Sequence, residues 1–128
     1  MEVFNIYLQR SGAENIKEKK ESRKDEILRA FMQLMMKNYR EQHEVAYYAA
    51  KLGMTPDNLS RSVIAASGKS PLQWINSALI TEAKTLLRKP DAIVNQVADE
   101  LHFGDQSSFG KFFKKHTGMT PMEYKKMG

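Results

Sequence analysis

The chain has 128 residues, a net charge of +5, 41% hydrophobic residues and no cysteine. This length suits one domain, or two very small ones that share a helix. The lack of cysteine excludes disulfide bonds and thiolate metal sites and fits a cytoplasmic location, and no apolar stretch approaches the ~18 residues of a membrane span. Residues 51–128 carry eleven Lys or Arg against seven Asp or Glu, so a polyanionic partner is expected to contact this later part.

The first predicted elements are helical. Residues 3–8 form a short apolar run, and residues 13–24 are highly charged, which favours a linker or a solvated helix. An amphipathic helix is expected to start near Ser22 or Asp25, since apolar residues recur on one helical face from Ile27 to Tyr39. The predicted domain boundaries are an N-terminal extension at 1–24, a first subdomain at 25–70, a linker helix at 71–89 and a second subdomain at 90–128.

Three further helices are predicted to start where a hydroxyl residue precedes a proline, at Thr55, Ser70 and Thr120. The hydroxyl suits the N-cap, and proline suits the first helical position. The two later sites also have Gln or Glu three residues further on, which is the pattern of a capping box. The helix after Ser70 should end near residue 88, because Pro90 follows.

An internal repeat of about 50 residues relates the two halves of the chain. It pairs Leu59 with Phe109, Arg61 with Lys111, Val63 with Phe113, and Trp74 with Tyr124. Upstream, Gly53 pairs with His102. One added residue, Gly104, then restores the register, so that Thr55 and Asp105 both occupy N-cap positions.

Each copy of the repeat has the layout of a helix-turn-helix. The predicted first helices cover about residues 44–51 and 92–101, and the second helices cover about residues 56–66 and 106–116. Gly53 favours the left-handed conformation that this turn needs. His102 is expected to keep that conformation, at a cost on the order of 1 kcal/mol or less, since His is enriched in it.

The second helix of each copy has a buried side and an outward side. At 100° per residue, Leu59, Ser62, Val63 and Ala66 share the buried side, as do Phe109, Phe112 and Phe113. The outward side presents Asp57, Ser60, Arg61 and Ile64 in the first copy, and Ser107, Gly110, Lys111 and Lys114 in the second. Arg61 and Lys111 hold the same repeat position, and core packing does not explain two such cations.

Residues 97–124, VADELHFGDQSSFGKFFKKHTGMTPMEY, resemble the signature of the AraC/XylS family of bacterial transcription regulators, in its C-terminal DNA-binding domain. His102 departs from the usual glycine. The resemblance covers about residues 25–127 and implies an all-α fold of seven helices, in which two helix-turn-helix subdomains are joined by a long linker helix. It also implies that the two recognition helices bind adjacent major-groove segments of double-stranded DNA, with no cofactor.

Candidate DNA contacts follow from the side-chain chemistry. The candidates for base contacts are Asp57, Asn58, Ser60, Arg61, Gln106, Ser107, Ser108 and Lys111. Those for phosphate contacts are Lys51, Lys69, Lys114 and Lys115. Arg61 is the strongest, because guanidinium donates two hydrogen bonds to a guanine edge. Helix-start chemistry is an equal alternative for the amide and hydroxyl residues, and interaction with the helix dipole is slightly favoured for Asp57. For Lys111 a phosphate contact is nearly as well supported as a base contact, and for the four phosphate candidates a solvated face is an equal alternative.

Other functions have weaker support in the sequence. Trp74, Tyr124 and the Phe cluster are expected to pack in the core rather than to stack on bases, and the three histidines have no metal-site spacing. A helical protein-interaction module without DNA binding is the alternative, and no catalytic constellation points to an enzyme. Further expected partners are RNA polymerase and an N-terminal effector or dimerisation domain in a longer protein.

Overall fold

The computed structural model describes residues 12–127, which form seven α-helices and no strand. The helices are α1 (Gly12–Asn38), α2 (Val45–Lys51), α3 (Pro56–Ser67), α4 (Pro71–Leu87), α5 (Val94–Glu100), α6 (Gln106–Thr117) and α7 (Pro121–Met127). The all-α fold is confirmed, while the apolar run at residues 3–8 lies outside the described residues. None of the helices described is long and apolar enough to cross a membrane.

Helix α1 begins earlier than the sequence predicted. The expected start near Ser22 or Asp25 is wrong, because α1 runs without a break from Gly12 to Asn38. The charged stretch at 13–24 is therefore a helix and not a linker. Lys and Glu are good helix formers. Ser22 and Asp25 therefore lie inside a helix that continues on both sides of them.

The helix starts that the sequence predicted are confirmed. The Thr55 hydroxyl accepts a hydrogen bond from the amide of Asn58 at 3.1 Å. Ser70 forms a capping box at the start of α4. The amide of Glu123 donates to the Thr120 hydroxyl at 3.1 Å, and the Glu123 carboxylate accepts from the Thr120 amide at 2.8 Å. The ends of α3, α4 and α6 fall within one residue of the prediction.

One hydrophobic core runs through the described residues. Phe31 and Met35 of α1 are buried in it, together with four predicted core residues of the recognition helices: Leu59, Val63, Phe109 and Phe113. Ser62 and Ala66, predicted on the same side of α3, are only partly buried. Tyr124 is 7% exposed, and Trp74 and Phe112 are only partly buried. We call α1–α3 the first unit and α5–α7 the second unit, and α4 packs on helices of both.

The turn of the second unit keeps the backbone of the first. The φ angle is 68° at Gly53 and 60° at His102, which is the one non-glycine residue with positive φ among those described. In both turns the residue that follows donates its amide hydrogen to an alanine carbonyl, Met54 to Ala49 at 2.9 Å and Phe103 to Ala98 at 3.0 Å. The predicted left-handed conformation of His102 is thus confirmed.

Candidate nucleic-acid interface

The N-terminal turn of α3 carries the first group of candidate base contacts. Thr55 and Pro56 fix the start of this helix, and Asp57 and Asn58 are exposed directly after them. The acidic Asp57 also lies where it interacts favourably with the helix dipole. The position of Asp57 therefore suits either a base contact or stabilisation of the helix dipole.

Arg61 lies one turn further along the same face of α3. Its side chain is exposed, and its Nη2 donates a hydrogen bond to Oδ1 of Asn58 at 3.3 Å. Ser60, on the same side, is half-buried. The bond to Asn58 orients the guanidinium along the helix surface while leaving most of its five donors free.

The N-terminal turn of α6 repeats this arrangement with a different cap. Oδ1 of Asp105 accepts a hydrogen bond from the Ser108 amide at 2.7 Å. Hydrogen bonds from Ser108 lower the pKa of the Asp105 carboxyl, with a smaller contribution from the charge of Lys111. Gln106, Ser107 and Ser108 are all exposed, so the three polar candidates of the second unit lie on the surface around one cap.

The outward face of α6 is more basic than that of α3. Lys111, Lys114 and Lys115 are all exposed along this helix. Lys111 corresponds to Arg61, and Lys114 corresponds to Ile64. Among residues 23–127, no carboxylate lies within ion-pair distance of these cations. The second unit therefore presents three exposed lysines on this helix where the first presents one arginine.

The remaining phosphate candidates sit on aromatic rings. Lys69, which follows the C-cap of α3, holds its Nζ 4.7 Å from the centre of the Trp74 ring. Lys51, at the end of α2, lies 5.7 Å from that of Tyr47. Both lysines are exposed. The aromatic contacts restrict the two ammonium groups without neutralising them.

Ile64 lies on the outward face that helical spacing predicts, although it is not one of the candidate contacts. It is 47% exposed on the same side of α3 as Asp57 and Arg61. An exposed apolar side chain on such a face suits contact with a thymine methyl group. The available signal was its repeat position, which a lysine occupies in the second unit.

The three histidines have local partners. Among residues 23–127, whose side chains the structure describes, no cluster of three His, Asp or Glu could hold a metal ion. His43 contacts the Arg40 carbonyl at 3.1 Å, and His102 contacts the Glu100 carbonyl at 3.2 Å. The ring of His116 packs 4.6 Å from that of Phe112, centre to centre.

Comparisons with known proteins agree with this geometry. A family model described as a helix-turn-helix domain matches residues 48–127. The uncharacterized HTH-type transcriptional regulator YisR of Bacillus subtilis is 27% identical over 106 residues, which cover 83% of this chain and 37% of YisR. The arabinose operon regulatory protein of Escherichia coli is 32% identical over 82 residues, which cover 64% of this chain and 28% of that protein.

Among solved structures, the fold is similar to the DNA-binding domain of AdpA, a global transcriptional factor, in complex with a target DNA. The TM-score is 0.69 at 25% sequence identity, and the match covers 78% of this chain and 90% of the other. The chain therefore matches almost all of a DNA-binding domain, but well under half the length of the two curated relatives.

Proposed function

This chain belongs to the AraC-type helix-turn-helix family of DNA-binding transcription regulators, and we propose that it binds double-stranded DNA by placing α3 and α6 in adjacent major-groove segments. The family consists of regulators and not of enzymes. Accordingly, we assign the exposed side chains of the two helices to recognition and none to catalysis.

The observation that supports this proposal best is the equivalence of two outward faces. Arg61 and Lys111 occupy the same repeat position, both are exposed, and both lie one turn after a capped helix start. A recognition helix contacts base edges with the residues of its N-terminal turns. Two such faces on one chain suit a DNA site made of two different segments.

The two units are expected to contribute differently. In the first, Arg61 donates to a guanine edge and Ile64 contacts a thymine methyl group, which are both base-specific contacts. In the second, Lys114 and Lys115 neutralise phosphates, which fixes register but carries no sequence information. The first unit would then determine more of the base preference, and the second more of the non-specific affinity.

The proposal extends to a longer regulator, because the matching relatives are more than twice as long as this chain. In such a protein this domain would bind DNA in the cytoplasm, beside an effector or dimerisation domain. RNA polymerase is the expected partner at a promoter. The cytoplasmic location, the additional domain and the polymerase contact are expectations for the whole protein. The DNA binding of this domain does not depend on them.

Selection of bound duplexes from a random pool tests the proposed binding. The expected result is an asymmetric sequence with two conserved segments about one helical turn, or ~34 Å, apart. Affinity for the selected duplex should fall steeply with salt, with a slope of log K against log salt close to −0.9 for each phosphate that is neutralised.

A pool without enrichment, combined with a flat salt dependence, would contradict the proposal and favour a helical protein-interaction module. Enrichment of a single short segment would show that only one recognition helix contacts bases. The double variant Arg61→Ala, Lys111→Ala provides the control, since it removes both equivalent cations without touching the core.

A further inference from the structure

We propose that the loop between α1 and α2 sets the spacing of the two DNA segments, through the contact of His43 with Phe103 (the inter-unit contact), which the ion pair of Arg40 with Glu82 of α4 supports. The inference rests on the two-segment binding proposed above. Moving one segment by a base pair shifts it by about 3.4 Å and rotates it by about 34–36° about the duplex axis. A domain that holds its recognition helices rigidly therefore binds one spacing much better than its neighbours.

Helix packing joins the two units mainly through α4. Helices α1 and α2 pack on α3, while α5 and α7 pack on α6. In residues 12–127, α4 is the helix that makes extensive contact with both sets. Shared packing on a single helix permits small twisting and sliding motions about it, so a contact away from that helix is needed to fix the relative angle.

His43 and Phe103 provide direct contact between the units. Their ring centres are 5.0 Å apart with the planes at 46°. Phe103 in turn lies 5.3 Å from the ring of Phe109 and 5.1 Å from that of Phe112, both on α6. One intervening ring thus connects the loop of the first unit to the recognition helix of the second.

The loop is also held firmly within its own unit. The buried Tyr48 donates its hydroxyl hydrogen to the carbonyl of Gln42 at 2.7 Å. Nε2 of His43 lies 3.1 Å from the carbonyl oxygen of Arg40, and it carries the hydrogen, since a carbonyl only accepts. The imidazole is therefore fixed on the side that faces Phe103.

Arg40 adds an electrostatic contact beside the aromatic one. Its guanidinium forms an ion pair with Glu82 of α4, whose carboxylate also accepts from the Tyr39 hydroxyl at 3.5 Å. A hydrogen bond with Tyr39 and the charges of Glu82 and Glu100 raise the pKa of Arg40 above its usual value. Glu82 lies on α4, so this ion pair anchors the loop to the linker helix beside the contact of His43 with Phe103.

The equivalent turn of the first unit has no aromatic residue in this place. Met54 corresponds to Phe103, and the amides of both close the same backbone bond onto an alanine carbonyl. The side chain at this position is thus free to differ without changing the turn. In the second unit it is the aromatic group that reaches His43.

A distance measurement on the protein without DNA tests the constraint. The chain has no cysteine, so spin labels can be placed at Ala65→Cys and Lys115→Cys, which are exposed, equivalent positions on α3 and α6. His43→Ala, alone and with Arg40→Ala, should broaden the distance distribution by at least ~3 Å, about the rise of one base pair. Gln42→Ala is the matched control, because it retains the carbonyl that Tyr48 contacts.

A second measurement uses the selected duplex with its segments moved apart or together by one base pair. The wild-type protein should bind the altered duplexes about tenfold more weakly, and His43→Ala should reduce this penalty by about threefold or more. The affinity of His43→Ala for the duplex with the original spacing should change less than its affinity for the altered duplexes. Gln42→Ala should show the full penalty of the wild type.

The outcomes separate the two proposals. A distance distribution and a spacing penalty that His43→Ala leaves unchanged would overturn the role of the inter-unit contact, with two-segment binding intact. Failure to select any duplex would contradict the DNA binding, while the distance measurement would still decide whether the loop holds the units together.

Discussion

The indole Nε1 of Trp74 donates a hydrogen bond to the hydroxyl of Ser67 at 3.0 Å, and this bond has no equivalent in the second unit. There, Tyr124 replaces Trp74 and Thr117 replaces Ser67. Ser67 and Thr117 both donate to the carbonyl four residues earlier, at 2.7 and 2.8 Å. Among the residues that the structure describes, however, the buried hydroxyl of Tyr124 has no hydrogen-bond partner.

We expect Tyr124→Phe to leave the domain as stable as the wild type or to stabilise it by about 1 kcal/mol, because it removes a buried polar group that lacks a partner. Tyr48→Phe is the matched control. It removes a hydroxyl that donates at 2.7 Å, and it should cost about 1 kcal/mol. Urea unfolding followed by circular dichroism measures both. Equal losses would show that Tyr124 has a polar partner after all.

His102→Gly should stabilise the domain by about 0.5 kcal/mol. Relief of the left-handed conformation gains about 1 kcal/mol, and the extra freedom of glycine in the unfolded chain costs about 0.5 kcal/mol. The exposed contact of His102 with the Glu100 carbonyl is lost and reduces the gain. The reciprocal change, Gly53→Ala, should destabilise by about 1 kcal/mol. Thermal unfolding compares them, and destabilisation by both changes would contradict this account.

Much of the fold could be predicted because it depends on local patterns. The caps at Thr55, Ser70 and Thr120 involve residues three positions apart, and the conformation of His102 follows from its alignment with Gly53. The outward faces of α3 and α6 follow from helical periodicity. These features are determined within one or two turns of the chain, so a single sequence contains their signals.

The features that were missed depend on distant residues or on competing local signals. His43 and Phe103 are 60 positions apart, and no periodicity indicates that their rings meet. The sequence also gives no signal for the ion pair of Arg40 with Glu82, because each is an ordinary charged residue in its own segment. Ser22 resembles a helix start, but the helix-forming residues before it continue α1 upstream to Gly12.

Arg61→Ala should weaken binding to the selected duplex by roughly 5- to 150-fold, which corresponds to about 1–3 kcal/mol, and should remove the preference at one base pair. Arg61→Lys keeps the charge but not the planar fork, so it should recover affinity more than base preference. Arg29→Ala is the control, because Arg29 is exposed on the side of α1 opposite Phe31. A uniform loss over all four bases would instead make Arg61 a phosphate contact.

The loss of stability as the pH falls below about 4 should depend in part on the Asp105 cap. Hydrogen bonds from Ser108 lower the pKa of this carboxyl in the folded protein. A lowered folded-state pKa gives stability that is present above the unfolded-state value, near 4, and is lost as the pH falls through the folded-state value. Asp105→Asn keeps a good N-cap without a titrating group, so its free energy of unfolding should fall less between pH 5 and pH 2.5. Urea unfolding across that pH range measures the difference. Asp57→Asn is the control for an exposed acid that caps no helix. Parallel curves of unfolding free energy against pH for the wild type and Asp105→Asn would contradict the prediction.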